Sequence, residues 1–302
     1  QYKAEARVIS FAIVQICAGL IFYIIQSIRG KTFFNKEFWR FALSFSIPLI
    51  PHYLSQIVLG QSDRIMIDKM IGASEAAIYG VSYNLAAVIT LFVNAINNSF
   101  VPTLYESLKN KKCENIKKVT TFLAIFMAAL ICVFMLFGPE ILTVFVAPEY
   151  IRAKWIFPPV AASMFFTFIY LFYVNVEFYF EKTNYVMFVS VLGAVVNIIL
   201  NLVFIKKYGF IAAGYTTVFS YIVFCFAHYL LYKYIAKKEK TGNVYNDGIF
   251  MILGIAVLAF MLICILLYKF NIVRYILIAL IAVFAVIFRK KLLFAFKKAL
   301  NK

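Results

Sequence analysis

The chain contains little charge, and this excludes most classes of soluble protein. Charged residues make up 14% of its 302 residues, whereas soluble domains usually carry about 25%. Hydrophobic residues reach 64%, including 34 Phe and 20 Tyr. A soluble core could not bury so much apolar surface, so the sequence predicts an integral membrane protein.

Cysteine and histidine are scarce as well. The five cysteines form no Cys-x-x-Cys pair, so neither a disulfide framework nor a metal site is indicated. The two histidines are His52 and His228, and no carboxylate is expected at mid-membrane depth to pair with either. We therefore predict no enzymatic activity, no metal and no cofactor.

The formal net charge of +17 raises the question of a nucleic-acid partner. The basic residues lie in short clusters between apolar runs, which is the pattern of cytoplasmic loops in membrane proteins. No soluble basic domain is present to carry nucleic acid. We therefore expect membrane lipids, and no nucleic acid, as partners.

Apolar runs set the predicted architecture. A bilayer core requires about 20 apolar residues per helix. Runs this long and continuous indicate helices, whereas barrel strands alternate over about 10 residues. The sequence thus predicts an all-α integral membrane protein with nine transmembrane helices, over residues 8–28, 41–60, 76–104, 119–139, 155–176, 183–205, 208–232, 249–268 and 271–288.

The distribution of Lys and Arg predicts an orientation. The loops and the tail 289–302 on one side of the nine spans contain 20 basic residues, against 10 on the other side. This bias places the C-terminus in the cytoplasm and residue 1 outside. Because residue 1 is Gln and lies outside, we expect an odd number of further helices before it in the native protein.

Three of the predicted spans carry polar residues at helical spacing. Such faces either join helices by hydrogen bonds or line a shared aqueous cavity, and the spacing leaves both open. The candidate lining residues are Ser44, His52 and Gln56 on the second span with Asp63 just beyond its end, Tyr83, Thr90, Asn94, Asn97 and Asn98 on the third, and Ser190, Asn197 and Asn201 on the sixth.

The second span also contains Pro48 and Pro51, and it ends in a cluster of charges. Each proline removes a backbone donor and can kink the helix, so both are hinge candidates. Arg64 and Asp68 are four residues apart and could pair on a solvated helix end. Alternatively, Arg64 handles an anionic headgroup at the external rim of a polar path, with Asp63 as its polar neighbour.

Several segments resemble a known family. These are "SFSIPLIPHYLSQIVLGQSDRIMIDKMIGASEAAIYGVSYNLAAVI" from Ser44, "NNSFVPTLYE" from Asn97 and "GAVVNIILNLVFIKKYGFIAAGYTTVFSY" from Gly193. Their order and spacing resemble bacterial polysaccharide flippases of the Wzx type, within the multidrug/oligosaccharidyl-lipid/polysaccharide exporter (MOP) superfamily. The resemblance covers roughly residues 35–235.

The resemblance implies a fourteen-helix transporter of two lobes, of which this chain would supply the last nine helices. Residues 1–35 would then hold the last helix of the first lobe and a linker. Residues 36–240 would form the six-helix second lobe, and residues 241–302 two additional helices and a basic tail.

The resemblance further implies a function. Such proteins move an undecaprenyl-diphosphate-linked oligosaccharide across the bacterial cytoplasmic membrane for O-antigen or capsule synthesis, in company with a polysaccharide polymerase and assembly proteins. Amide and hydroxyl side chains suit sugar hydroxyls, and arginine suits diphosphate.

Two alternatives come from other functional classes. A small-molecule exporter of the same superfamily would require acidic residues in mid-span, and the nine predicted spans contain none. A membrane-embedded polysaccharide polymerase or O-acyltransferase would require a large hydrophilic loop, and the predicted loops hold only about a dozen residues.

Overall fold

The computed structural model describes residues 2–31 and 34–287, and these are helical throughout, without a strand. The elements are α1 (Tyr2–Gly30), α2 (Lys36–Ser46), α3 (Leu49–Met70), α4 (Ala73–Ala86), α5 (Ile89–Lys109), α6 (Glu114–Leu136), α7 (Gly138–Phe145), the 3-10 helix η1 (Pro148–Trp155), α8 (Phe157–Tyr179), α9 (Thr183–Tyr208), α10 (Ile211–Lys238), α11 (Asp247–Leu267) and α12 (Asn271–Ile287).

The predicted all-α membrane class is confirmed. Within the described part of the chain, eight helical stretches are long and apolar enough to cross a bilayer. The ninth predicted span corresponds to α12, whose apolar part is shorter. Residue 288 and the predicted basic tail 289–302 lie outside the described residues.

Two predicted spans are broken where the sequence suggested continuous helices. The span over 41–60 divides between α2 and α3 at Ile47 and Pro48, where the proline removes a backbone donor. The span over 76–104 divides between α4 and α5. There the backbone tightens at Ala87 and Val88, and the Thr90 hydroxyl donates to the Ala87 carbonyl at 2.5 Å.

The chain separates into two compact units, Gln1–Ile47 and Pro48–Lys302. In the first unit, the side chain of Asn35 caps α2 by accepting hydrogen bonds from the backbone N–H groups of Glu37 and Phe38. The exposed residues of α1 are mostly apolar, as a lipid-facing or partner-facing helix requires. The domain boundaries predicted at 35/36 and 240/241 stay predictions.

The second unit is organised around α8, which is buried along nearly its whole length. It packs against α10 and also contacts α4, α5, α6 and α11, while α9 packs against both α3 and α10. Aromatic side chains such as Phe165, Phe168 and Phe172 fill this core. A helix that is apolar on every side is typical of a bundle centre.

One short helical region was missed in the predicted loop between the fourth and fifth spans. Helix α7 and η1 follow one another there, and each has a proline in its first turn, Pro139 and Pro148. Proline favours this position because the first helical N–H groups have no acceptor within the helix. This was the available signal in the sequence.

Candidate functional site

Helix α3 carries two buried polar clusters that join it to its neighbours. The first, here called the histidine chain, links α3 to α8, α9 and α10. The second, here called the Asp63 cluster, links α3 to α4, α9 and α10. Seven residues separate Gln56 of the first cluster from Asp63 of the second, which is about 10 Å along a helix.

The histidine chain is a continuous series of side-chain hydrogen bonds. Its members are Glu177, His228, Ser190, His52, Gln56 and Tyr170. Glu177 Oε2 lies 2.8 Å from His228 Nδ1, and His228 Nε2 lies 3.3 Å from Ser190 Oγ. Ser190 Oγ is 2.6 Å from His52 Nδ1.

The histidine chain continues through Gln56. Its Nε2 lies 3.1 Å from His52 Nε2 and donates to the Tyr170 hydroxyl at 2.6 Å. Thus one hydrogen-bonded path crosses four helices, and its two histidines, Ser190 and Glu177 are buried.

The hydrogen bonds of this chain can be directed in one consistent sense. Gln56 donates to His52, His52 donates to Ser190, Ser190 donates to His228, and His228 donates to the Glu177 carboxylate. Because each imidazole can hold a proton on either nitrogen, the directions between His52, Ser190 and His228 can also reverse, whereas the Gln56 amide nitrogen only donates.

The histidine chain corrects the expectation that neither histidine has a carboxylate partner. The fifth span was ended at residue 176 because the next residue is charged, yet α8 continues to Tyr179. Glu177 is fully buried there and faces His228. Its burial is tolerated because His228 supplies a hydrogen-bonding partner that can carry the opposite charge.

The Asp63 cluster surrounds a fully buried carboxylate with neutral donors. The hydroxyls of Tyr79 and Thr217 donate to Asp63 Oδ2 at 2.5 Å and 2.6 Å. The side-chain amides of Asn197 and Asn201 donate to Oδ1, the former at 3.3 Å. The remaining members are Ser62, which donates to Asn197 at 2.8 Å, and Thr216, which donates to Asn201.

The expected position of Asp63 was wrong. It was placed at an exposed rim overlooking a cavity, but its relative exposure is 0%. The spacing of His52, Gln56 and Asp63 correctly put them on one face of the helix, and that face packs against α9 and α10. Among the described residues no cation pairs with Asp63, so four neutral donors stabilise its carboxylate.

Arg64 points away from this cluster. Its Nη2 donates to Asn84 Oδ1 at 2.7 Å, and its Cζ lies 4.9 Å from the centroid of the Tyr83 ring. Arg64 forms no ion pair with Asp68, although the sequence allowed one. The Arg64 Nε is buried without a protein acceptor. Arg64 therefore retains donors that could bind an anion.

Helix α5 has an exposed polar strip, here called the α5 polar strip, formed by Asn94, Asn98 and Glu106. The spacing of four and then eight residues places them along one side of the helix, with Pro102 between them. The neighbouring Asn97 is half-buried and accepts a hydrogen bond from Asn175 of α8 at 2.8 Å. The strip is thus anchored to α8 on its inner side.

The predicted lining residues therefore divide into two groups. His52, Gln56, Asp63, Asn197 and Asn201 are gathered within the helix packing, where they bind one another and their neighbours. The second group, on α3, α4 and α5, consists of residues that are exposed or partly exposed. It comprises Arg64, Tyr83, Asn94, Asn97 and Asn98.

The two hinge candidates lie where a helix begins. Pro48 precedes the first residue of α3, and Pro51 falls in its first turn. The backbone N–H groups of a first turn lack helical acceptors, so proline is accommodated at both places. No group of three or more His, Cys, Asp or Glu side chains that could hold a metal ion occurs in residues 2–31 and 34–287.

A family model described as "Polysaccharide biosynthesis protein" matches residues 4–108, less than half of the chain. The chain is also 24% identical over 201 residues to "Lsg locus putative protein 1" of Haemophilus influenzae. That match covers 64% of this chain and 50% of the relative.

Two further relatives are uncharacterized membrane proteins. One, also from Haemophilus influenzae, is 26% identical over 199 residues, and the match covers 64% of this chain and 49% of the relative. The other, from Methanocaldococcus jannaschii, is 23% identical, and the match covers 65% of this chain and 39% of the relative. The chain thus spans about half the length, or less, of the curated relatives it matches.

Among solved structures, the chain resembles an outward-facing multidrug resistance MATE family transporter of the MOP superfamily. The TM-score is 0.50 with 20% sequence identity, over 63% of this chain and 44% of the transporter. The likeness is one of fold, and it agrees with the fold expected from the sequence. The chain is a multi-pass membrane protein.

Proposed function

We propose that this chain belongs to a flippase that moves an undecaprenyl-diphosphate-linked oligosaccharide repeat unit across the bacterial cytoplasmic membrane for O-antigen or capsule synthesis. The observation that carries this proposal is the α5 polar strip. Its Asn94 and Asn98 are exposed in a helix that is otherwise apolar enough to cross the bilayer.

A polar strip at this depth requires a polar neighbour. Hydrocarbon offers no hydrogen bonds, so side-chain amides facing lipid lose those they would make in water. Asn94 and Asn98 are therefore expected to face a water-filled path. Each amide can both donate and accept, which matches the hydroxyl groups of a sugar.

Arg64 supplies the second requirement, a cation for the diphosphate. Its guanidinium is oriented by Asn84 and Tyr83, and its Nε remains without an acceptor. Guanidinium groups bind phosphate oxygens through paired hydrogen bonds. The family model's description, "Polysaccharide biosynthesis protein", supports the same pathway. A polysaccharide polymerase and assembly proteins would then be the partners, with the C-terminus in the cytoplasm.

A small-molecule exporter of the same superfamily is the second candidate, and two residues favour it. An exporter would require acidic residues in mid-span, and none was expected there, yet Asp63 and Glu177 both lie within spanning helices. However, each is fully buried and already hydrogen-bonded within the protein. We prefer the flippase because neither carboxylate is open to a cationic substrate.

Deletion of the gene separates the candidates. A flippase defect leaves lipid-linked repeat units on the cytoplasmic side, so the repeat-unit pool should rise while surface polysaccharide is lost. A polymerase defect would instead leave single repeat units at the cell surface. Unchanged polysaccharide with increased sensitivity to organic cations would favour the exporter and contradict the flippase.

Arg64→Ala in the full-length protein tests the proposed diphosphate contact. We expect surface polysaccharide to be lost at normal protein level, and Arg64→Lys to restore part of it because the charge remains. Lys69→Ala is the matched control, since Lys69 is an exposed cation near the end of the same helix. Equal polysaccharide from Arg64→Ala and Lys69→Ala would remove Arg64 from the mechanism.

A further inference from the structure

A polar pocket lies between α7, η1 and the start of α12, apart from the clusters described above. Its volume is about 330 Å³. Unlike the apolar grooves elsewhere on the second unit, it is lined by residues of both charges. The polar lining residues are Glu140, Thr143, Lys154, Asn271, Arg274 and Tyr275.

Arg274 is the central residue of this pocket. Only 1% of its surface is exposed, and its Nη2 donates to Glu140 Oε1 at 2.5 Å. Its Nε and Nη1 are buried without a hydrogen-bond acceptor. A buried guanidinium with unused N–H groups in a polar pocket requires an acceptor, and phosphate oxygens match its geometry. The nearby Lys154 makes the pocket net positive.

Glu140 adds a second requirement. Its Oε1 accepts from Arg274 and, at 2.8 Å, from the Tyr275 hydroxyl, which fixes the orientation of the carboxylate. Its Oε2 is buried without a donor. The pocket therefore lacks both an acceptor for Arg274 and a donor for Glu140. A phosphodiester with an attached ammonium or hydroxyl supplies both.

The surroundings of the pocket favour a lipid. It lies at helix ends, beside the short helix α7 that follows α6 and at the N-terminal end of α12, and headgroups are found at the ends of membrane helices. Val144 and Ile272 beside it are 76% and 77% exposed. Tyr268 and Tyr275 line it, and amphipathic rings are typical of the membrane interface.

We propose that this pocket binds the headgroup of a membrane phospholipid, with phosphodiester oxygens on Arg274 and the headgroup's ammonium or hydroxyl donor on Glu140. The exposed Val144 and Ile272 then lie against the acyl chains. The site is independent of what the protein transports, so failure of one proposal leaves the other standing.

Native mass spectrometry of the purified full-length protein tests the site. The probes are phosphatidylethanolamine, phosphatidylmethanol and diacylglycerol with the same acyl chains. We expect phosphatidylethanolamine to be retained best, because phosphatidylmethanol lacks the donor and diacylglycerol lacks the phosphate. Arg274→Gln should weaken its retention roughly tenfold, the usual effect of losing hydrogen bonds to a charged group.

Further variants keep the test decisive. Arg274→Lys retains the charge but not the fork of N–H groups, so it should weaken binding even if Arg274→Gln folds poorly. Glu140→Gln should reduce the preference for phosphatidylethanolamine over phosphatidylmethanol. Arg152→Gln, an exposed cation on η1 outside the pocket, is the matched control and should change nothing.

Three results would overturn the proposal. Equal retention of diacylglycerol would show that no phosphate is recognised. Unchanged binding in both Arg274 variants would exclude this pocket. Binding of soluble glycerophosphoethanolamine as tightly as the lipid would mean that the pocket takes a free phosphodiester rather than a lipid headgroup.

Discussion

Glu177 of α8 and His228 of α10 form a fully buried pair, with 2.8 Å between Oε2 and Nδ1. The pair ties the central helix of the second unit to its main neighbour, and it begins the histidine chain that reaches α3. Removing one partner of such a pair leaves an uncompensated group in the core and usually costs about 3–5 kcal/mol.

This pair predicts that Glu177→Gln changes the melting temperature in opposite directions in the wild-type protein and in His228→Ala. His228→Ala should lower the apparent melting temperature of the detergent-purified protein, because the Glu177 carboxylate loses its partner. Glu177→Gln should be destabilising alone, yet should raise the melting temperature of His228→Ala by removing the unpaired charge. An equal fall in both backgrounds would show that the two residues are not coupled.

The Asp63 cluster predicts an order between two substitutions. Asp63→Ala should be the more destabilising, because it removes the acceptor that four donors share, and a buried donor left without an acceptor costs about 1–3 kcal/mol. Asp63→Asn should cost less, since the Tyr79 and Thr217 hydroxyls can rotate and accept hydrogen bonds from its amide. Thermal unfolding in detergent provides the measurement.

Asp68→Ala is the control for this series. Asp68 lies on the same helix but is exposed, so its loss should leave the melting temperature unchanged. If Asp63→Asn proved as damaging as Asp63→Ala, the charge of Asp63 would be required in addition to its hydrogen bonds.

Close approach of α9 and α10 depends on Gly193. A methyl group at this position would lie 2.5 Å from Phe224 Cδ2, too close for any real contact. The ring of Phe224 also packs against His228, with 4.7 Å between centroids. Gly193→Ala should therefore lower both the melting temperature and transport.

The control for Gly193 is Gly248 near the start of α11, where an added methyl meets no atom within 4 Å. Gly248→Ala should be neutral or slightly stabilising, because alanine favours a helix over glycine by up to about 1 kcal/mol. Comparable loss in both variants would indicate a general sensitivity to glycine replacement rather than tight packing at α9 and α10.

The α5 polar strip predicts solvent access within the membrane. In a cysteine-free background, Asn94→Cys and Asn98→Cys should react with a membrane-impermeant thiol reagent in whole cells when the path is open to the outside. Ile255→Cys on α11, an exposed apolar position, is the lipid-facing control and should not react. Equal protection of all three cysteines would place the strip against protein or lipid instead of water.

Much of the fold could be predicted because hydrophobic length alone specifies a membrane helix. The nine apolar runs fall on the helices of the structure, and the shared face of His52, Gln56 and Asp63 follows from helical spacing. Of the two breaks within spans, the one at Ile47 and Pro48 had a signal in the proline, and the other had none. The break at Ala87 and Val88 arises from local backbone tightening that no proline or glycine announces.

The site was harder to predict, because burial depends on which helices meet. Glu177 was assigned to a loop since a charge ended its apolar run, although His228, 51 residues later, makes its burial possible. Likewise, Asp63 was expected at a surface because the donors that allow its burial lie on α4, α9 and α10, far from it in the sequence. A single sequence carries the residue types of such clusters but not their partners.

The central claim is that the protein translocates a lipid-linked oligosaccharide. The most direct test is the full-length protein reconstituted into vesicles, with labelled undecaprenyl-diphosphate oligosaccharide on one face and a glycan-cleaving enzyme confined to the other. The account predicts that cleavage increases with the wild-type protein and falls to the protein-free level with Arg64→Ala. Cleavage at the protein-free level with wild type, together with uptake of an organic cation by the same vesicles, would contradict it.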